Sequence, residues 1–194
     1  DSPGLKTGSK NLEISKILVC LDVTNAVIAE AVRKGCNLII SHHPVIFHAI
    51  SAVTDDKEPV VCNAIRNGIA IYAAHTNLDF ADGGVNDALA EAVGLSSVKK
   101  DISGKHRYGK LSGLVPLEEF ISDLKEKLAV PFLSVIVPKT CEQDFLIEKV
   151  GISCGAFDEE TDWIYTHKID LLLTGEIKHS DAVWLSEEKF ITIG

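Results

Sequence analysis

The sequence predicts an α/β fold made of two related α/β domains. Apolar runs of strand length alternate with helix-length amphipathic segments. Several of those runs are almost continuously hydrophobic, as strands buried on both faces of a sheet are. A strand–helix–strand passage near the start is also echoed near the end.

Lys16-Ile17-Leu18-Val19-Cys20-Leu21-Asp22 reads as a buried strand. Asn25 to Lys34 reads as a helix, with Asn25 a candidate N-cap and Gly35 at the stop. Asn37-Leu38-Ile39-Ile40-Ser41 is a second strand, and so compact a βαβ unit implies a parallel pair. Pro59 to Asn67 is helical and closed by Gly68, and Ile69 to Ala74 is a third strand. Gly84 to Val93 is a helix capped by Asp82 or Gly83 and stopped by Gly94. Tyr108 to Val115 is a strand, Leu117 to Leu128 an amphipathic helix, and Phe132 to Val137 a strand.

The echo follows. Lys149-Val150-Gly151-Ile152-Ser153-Cys154 matches the first strand in pattern, Glu159 to His167 is helix-like, and Asp170-Leu171-Leu172-Leu173-Thr174 matches the second strand. Each second strand leads into a His-bearing loop: Ser41-His42-His43-Pro44 in one, Thr174-Gly175-Glu176-Ile177-Lys178-His179 in the other. The expected halves are residues 1–95 and 105–194, joined near 96–105. The competing reading is that any two βαβ units look alike.

The formal net charge is −9, from 19 Lys plus Arg against 28 Asp plus Glu, which disfavours general nucleic-acid or anionic-membrane binding. The five cysteines contain no CxxC pair; Cys20, Cys36 and Cys154 sit in or beside apolar runs and read as reduced thiols of a cytoplasmic protein. No apolar run reaches membrane-spanning length. The chain opens at Asp1, contains no Met and stops straight after the strand-like Phe190-Ile191-Thr192-Ile193, which points to a piece of a longer protein.

In open α/β sheets, ligands bind beyond the carboxyl ends of the strands. His42-His43, His75 with Asp79, and Glu176 with His179 sit at such ends. Adjacent side chains on extended backbone point to opposite sides, and Pro44 favours that form at His43. His42 and His43 are therefore expected to serve two ions, or to divide into a ligand and its orienter; solvated loop histidines are the bland alternative. Asp79 is the candidate bridge between two divalent ions, since one carboxylate spans their usual separation; a turn or cap role is its alternative. His75 is a weak ligand, a residue that orients a ligand, or the catalytic proton carrier, and a structural role competes with these. Glu176 and His179 are weaker ligand candidates, three apart on one helical face. Asp22 either lines the cleft or caps the next helix, the cap being favoured. Gly83-Gly84 offers helix N-terminal amides to a phosphate, with a plain helix cap favoured. His48, His106 and His167 carry no ligand spacing and are expected at the surface.

Ser41-His42-His43-Pro44 with Phe47, His75-Thr76-Asn77-Leu78-Asp79, Gly83-Gly84 with Asn86, and Thr174-Gly175-Glu176 with His179 resemble the NIF-three-like family, whose bacterial members are commonly labelled GTP cyclohydrolase 1 type 2 homologues. Asp1-Ser2-Pro3-Gly4-Leu5 is similar to that family's Asp-Asn-x-Gly-Leu. The resemblance implies a dinuclear metal centre in the interdomain cleft and a toroidal homohexamer. It carries family ligands onto His42, His43 and Asp79. The family's remaining His and Glu ligands lie in a His-x-x-Ser-Glu motif after the last strand, beyond Gly194, and that motif is absent here. Lys178-His179-Ser180 departs from the two adjacent histidines of many relatives. Three residues leave two ions under-coordinated. The expected cofactors are two divalent ions per chain, zinc, iron or manganese. The leading functional expectation is a metal-dependent hydrolase of a nucleotide or phosphoester. Its rival is a non-catalytic metal-binding, metal-delivery or scaffold protein.

Overall fold

The computed structural model describes residues 3–140 and 145–194, which divide into two compact units, Asp1–Leu78 and Asp79–Gly194. Asp1, Ser2 and Cys141, which entered the readings above, lie outside the described residues.

The first unit runs β1 (Gly4–Thr7), β2 (Ile17–Cys20), α1 (Asn25–Lys34), β3 (Leu38–Ser41), α2 (Pro59–Arg66) and β4 (Ala70–Ala73). Its sheet has the order β1-β4-β3-β2. β2, β3 and β4 are parallel and in register at Cys20, Ser41 and Ala73, while β1 is antiparallel to β4. The cap of α1 is Thr24, whose Oγ1 accepts from the Val27 amide at 3.3 Å; neither Asn25 nor Asp22 fills that place. A short α3 (Thr76–Asp79) crosses the division between the units.

The second unit contains α4 (Val85–Val93), β5 (Ser96–Lys100), β6 (Arg107–Pro116), α5 (Leu117–Leu128), β7 (Val135–Ile136), β8 (Leu146–Ala156), α6 (Asp162–His167), β9 (Leu171–Glu176), α7 (His179–Leu185) and β10 (Ile191–Ile193). Its sheet has the order β5-β6-β8-β9-β10-β7, with β8, β9 and β10 parallel. Residues 79–95, expected with the first half, fall in this unit, where α4 packs on the β6 and β8 layer. The segment expected as a joint at 96–105 instead begins with an edge strand, β5, antiparallel to β6.

The sequence echo is a structural repeat. β1-β2-α1-β3-α2-β4 and β7-β8-α6-β9-α7-β10 have the same connectivity and the same order of strands, each with one antiparallel strand beside the last parallel one. The match extends to single hydrogen bonds. The Asn37 side-chain oxygen accepts from the Ser15 and Lys16 amides at 3.0 and 3.4 Å, and the Asp170 carboxylate accepts from the Glu148 and Lys149 amides at 3.0 and 2.8 Å. Lys16 Nζ donates to the Lys34 carbonyl at the end of α1, as Lys149 Nζ does to the His167 carbonyl at the end of α6. Both helices then close on a left-handed residue, Gly35 and Lys168.

The two sheets differ in how their faces are covered. In the second unit, α4 and α5 cover Val150, Ile152, Leu171, Leu173, Ile191 and Ile193, while α6 and α7 cover Leu172 on the other face. In the first, Ile28 and Ala31 of α1 and Ala64 of α2 pack on Ile39 and Ile71, and the opposite face stays partly open. Ile17 and Val19, at the positions of the fully buried Val150 and Ile152, are 48% and 75% exposed. β2 is thus an edge strand bare on one side, not the doubly buried strand its apolar composition predicts.

Arg107, fully buried, ties the start of the second unit together. Its guanidinium pairs with the Asp87 carboxylate and donates to the carbonyls of Phe80, Ala81 and Gly104 at 3.1, 2.9 and 3.2 Å. Removing one partner of a buried ion pair typically costs about 3–5 kcal/mol, and Arg107→Ala is expected to lose that much in urea unfolding. The hydrogen bond from Arg107 holds the Asp87 carboxyl below its ordinary range, against the opposing effect of burial. A carboxyl whose folded pKa is depressed contributes stability above its unfolded pKa and loses it as pH falls through the folded value. Unfolding midpoints compared at neutral pH and below about pH 4 should therefore show a smaller acid loss in Asp87→Asn than in the parent chain.

Candidate metal centre

The carboxyl edge of the first sheet is built by its backbone ladder. Beyond β3 the His42 amide still donates to the Cys20 carbonyl at 3.2 Å and the His43 amide to the Leu21 carbonyl at 3.0 Å. Ala74, after β4, donates to the Ser41 carbonyl at 2.8 Å. The chain then bends at His42 and His43, with Ser41 Oγ donating to the His43 carbonyl at 2.8 Å. This bend overturns the expectation of opposed side chains. The two imidazole centroids lie 5.1 Å apart, and His75 stands 5.3 Å from His42 and 5.8 Å from His43. One ring nitrogen from each of the three lies within 4.8 Å of the others, a spacing that suits a shared cation.

Two hydrogen bonds set which nitrogen faces an ion. His42 Nδ1 is 2.9 Å from the Ala74 carbonyl oxygen. A carbonyl only accepts, so Nδ1 carries the hydrogen and Nε2 is turned away from that carbonyl. His43 Nδ1 is 2.7 Å from Asp22 Oδ1, with the same consequence. A carboxylate or carbonyl behind each imidazole is the usual support of a metal-ligating histidine. Imidazoles so oriented suit a divalent first-row ion, and these residues fit one. Asp22 is the residue whose role the cap reading missed. The signal was present: with Cys20 level with Ser41, the parallel register carries Asp22 level with His43.

Phe47 packs edge-on against His75 at 6.1 Å between centroids, and the Leu78 amide donates to the His75 carbonyl at 2.7 Å, starting α3. Asp79 ends α3, 5% exposed, as the first residue of the second unit. Within that unit its charge adds to burial in pushing the Cys154 thiol up to about 12. Burial, and then Asp22, likewise raise the Cys20 thiol, so neither cysteine is a thiolate at neutral pH.

The weaker candidates separate. Glu176 belongs to β9 and His179 opens α7, so they share no helical face, and among the described residues neither joins a ligand cluster. The cap of α4 is Gly84, and the Gly83 amide donates to Asp87 at 2.7 Å, so a carboxylate already sits where a phosphate was considered. Asn86 is fully buried; its Nδ2 donates to the Lys105 carbonyl and its Oδ1 accepts from the Cys154 amide, a structural role. His48 is exposed and His167 half-buried, stacked on Tyr108, but His106 is only 2% exposed, against the expectation of a surface residue. No helix among the described residues is long and apolar enough to cross a membrane.

Comparison with known proteins gives a consistent result. The family model described as Duf34/NIF3 (NGG1p interacting factor 3) matches residues 1–194. The chain is 35% identical over 185 residues to a GTP cyclohydrolase 1 type 2 homolog of Lactococcus lactis, covering 91% of this chain and 70% of that protein. It is 46% identical over 101 residues to the Bacillus subtilis protein of the same name, covering 51% of this chain but only 27% of that one. It is 33% identical over 183 residues to NIF3-like protein 1 of Drosophila melanogaster, covering 88% of this chain and 60% of that one. Among solved structures, a Bacillus cereus protein related to NIF3 superposes with a TM-score of 0.86 at 22% identity, covering all of this chain and 81% of that one. Reduced HcgD from Methanocaldococcus jannaschii superposes with a TM-score of 0.77 at 28% identity, covering all of this chain and 77% of that one.

Loss of a partner that orients a ligating histidine typically lowers metal affinity about 10–100-fold, and Asp22→Ala is expected to weaken Zn²⁺ binding by that much. Isothermal titration calorimetry of the parent and variant chains measures it; equal affinities would remove Asp22 from the site.

Proposed function

Because this chain belongs to the DUF34/NIF3 family, we propose that it is a divalent-metal protein acting as a metal-dependent hydrolase on a nucleotide or phosphoester. One observation carries the reading: three histidines converge at the carboxyl edge of a parallel sheet, with Nδ1 of His42 and of His43 tied back to fixed acceptors. Such an arrangement is preorganised for an ion.

In this proposal His42 and His43 each present Nε2 to a cation. Asp79, four residues after His75, is the carboxylate offered as the bridge to a second ion. The ions are zinc, iron or manganese, since imidazole and carboxylate together suit all three. A bound divalent cation supplies Lewis-acid chemistry, lowering the pKa of water and steadying negative charge on the reacting group. The protein's part is orientation and proton handling. Asp22 holds the His43 ring in one tautomer and the Ala74 carbonyl does the same for His42; where His75 is left off the ion, it is the group beside them that would accept or return a proton. The substrate class follows the relatives' shared name, which refers to a GTP cyclohydrolase.

Elemental analysis of the purified chain should find zinc, iron or manganese, and His42→Ala/His43→Ala should lower the metal content per chain. The metal-loaded chain should turn over at least one member of a panel of nucleotides and phosphoesters, with activity falling on the order of 100-fold or more in Asp79→Ala and in His75→Ala. A loaded chain that turns over nothing on the panel, yet passes its metal to an apo-enzyme, would replace the hydrolase reading by metal delivery.

A further inference from the structure

We propose that His106, Asp158 and Glu160 form a second cation site, within the second unit, for one divalent first-row transition ion. It does not depend on the His42–His43–His75 centre or on the hydrolase reading.

One donor atom from each of the three lies within 4.8 Å of the other two. Exposed acidic groups alone would mean little. His106 is the independent observation: it is 2% exposed, and both its ring nitrogens are buried with no hydrogen-bond partner among the described residues. A neutral imidazole has one donor and one lone pair, and burying both unmet is costly. A cation on the lone pair resolves the acceptor's half of that deficit.

The ring is held in place from several sides. Trp163 stacks on it face to face, 4.6 Å between centroids and 6° from parallel. Trp163 can lie there because Gly151 beneath it has no side chain; a Cβ at that position would sit 2.6 Å from the indole. The His106 amide donates to the Asp101 carboxylate at 2.9 Å, and Asp101 also accepts from the Ser103 amide at 3.0 Å. His106 lines a cavity of about 450 Å³ together with Asp101, Ser103, Glu160, Asp162 and Trp163. Burial lowers the His106 pKa, outweighing the opposing pull of Asp101, Asp158 and Glu160, so the imidazole is neutral and able to ligate.

The donor set selects the ion. Carboxylates alone suit magnesium or calcium, whereas an imidazole shifts preference towards zinc, iron, cobalt or nickel. Nitrogen and oxygen ligands of such ions sit at about 2.0–2.2 Å, so the three donors must draw closer together. Asp158 and Glu160 are exposed side chains and can swing inward. At present Lys105 Nζ donates to both Glu160 oxygens at 2.9 and 2.8 Å. That exposed pair is weak, and a divalent ion displaces the ammonium.

Trp163 is also the reporter. The chain has two tryptophans, Trp163 and Trp184, so Trp184→Phe leaves one beside the site. In a Trp184→Phe chain that also carries His42→Ala/His43→Ala, titration with Co²⁺ should quench Trp163 emission and saturate at one equivalent. Asp158→Asn/Glu160→Gln, confined to exposed side chains, should weaken that quenching at least about tenfold. His106→Phe, which keeps an aromatic ring under Trp163, should abolish it. Absence of saturable quenching in the parent background, or quenching unchanged by the double carboxylate variant, would overturn the site.

Discussion

The in-register parallel ladder of β2, β3 and β4 is the constraint on which the candidate centre depends. Parallel strands end on one edge, and here they end level, at Cys20, Ser41 and Ala73. Asp22, His42, His43 and His75 follow those ends by one or two residues, so a backbone register sets their proximity before any side chain interacts. Asn37 anchors the other end of the same ladder by accepting from the amides of Ser15 and Lys16 as they enter β2. The imidazoles then inherit a fixed frame, and the Ala74 carbonyl and Asp22 carboxylate need only choose the tautomer.

The repeat explains why the second sheet is more fully buried than the first. Both units keep the layer formed by the crossover helices, α1 with α2 and α6 with α7. Only the second has α4 and α5 on the opposite face. The residues there show the consequence: Val150 and Ile152 are fully buried, while their counterparts Ile17 and Val19 meet solvent. Apolar strand composition in the first unit therefore reflects the shared repeat and not equal burial. Along that open face a cavity lined by Leu5, Leu12, Ile14, Leu38, Ile40 and Tyr72 marks where the loop between β1 and β2 lies over the sheet.

Much of this was legible in the sequence because period and punctuation carry it. The parallel core strands, the βαβ units and their repeat were readable from apolar runs ended by Gly35, Gly68 and Gly94, all of them left-handed in the structure. What stayed hidden has physical reasons. β5, Ser-Ser-Val-Lys-Lys, is an edge strand with every residue exposed, so it has no buried face to write an apolar pattern. β1 carries a register shift between Leu5 and Thr7, which breaks the alternation that would have marked it. Asp22 suits both a cap and a cleft-lining place, and local spacing does not decide between them; the cross-strand register does. The His42–His43 bend was hidden because Pro44 argues for extended backbone while the Ser41 hydroxyl, bonded to the His43 carbonyl, holds a turn. His106 reads as a surface histidine because it carries no ligand spacing, yet it is buried beside the buried Arg107 and stacked on Trp163.

The two histidine clusters differ in how their protons are fixed, and that difference bears on what each can do. At His42 and His43 an acceptor 2.9 or 2.7 Å away holds the hydrogen on Nδ1 and fixes the ring. An ion arriving there meets little reorganisation, which is what chemistry at a metal requires. At His106 no acceptor among the described residues fixes the tautomer, and the stack with Trp163 sets the plane of the ring without choosing its protonated nitrogen. A cation bound there must settle the tautomer and gather two exposed carboxylates, one of them from a lysine. Its binding therefore orders the residues around α6, whereas binding at the first cluster uses order already present in the ladder.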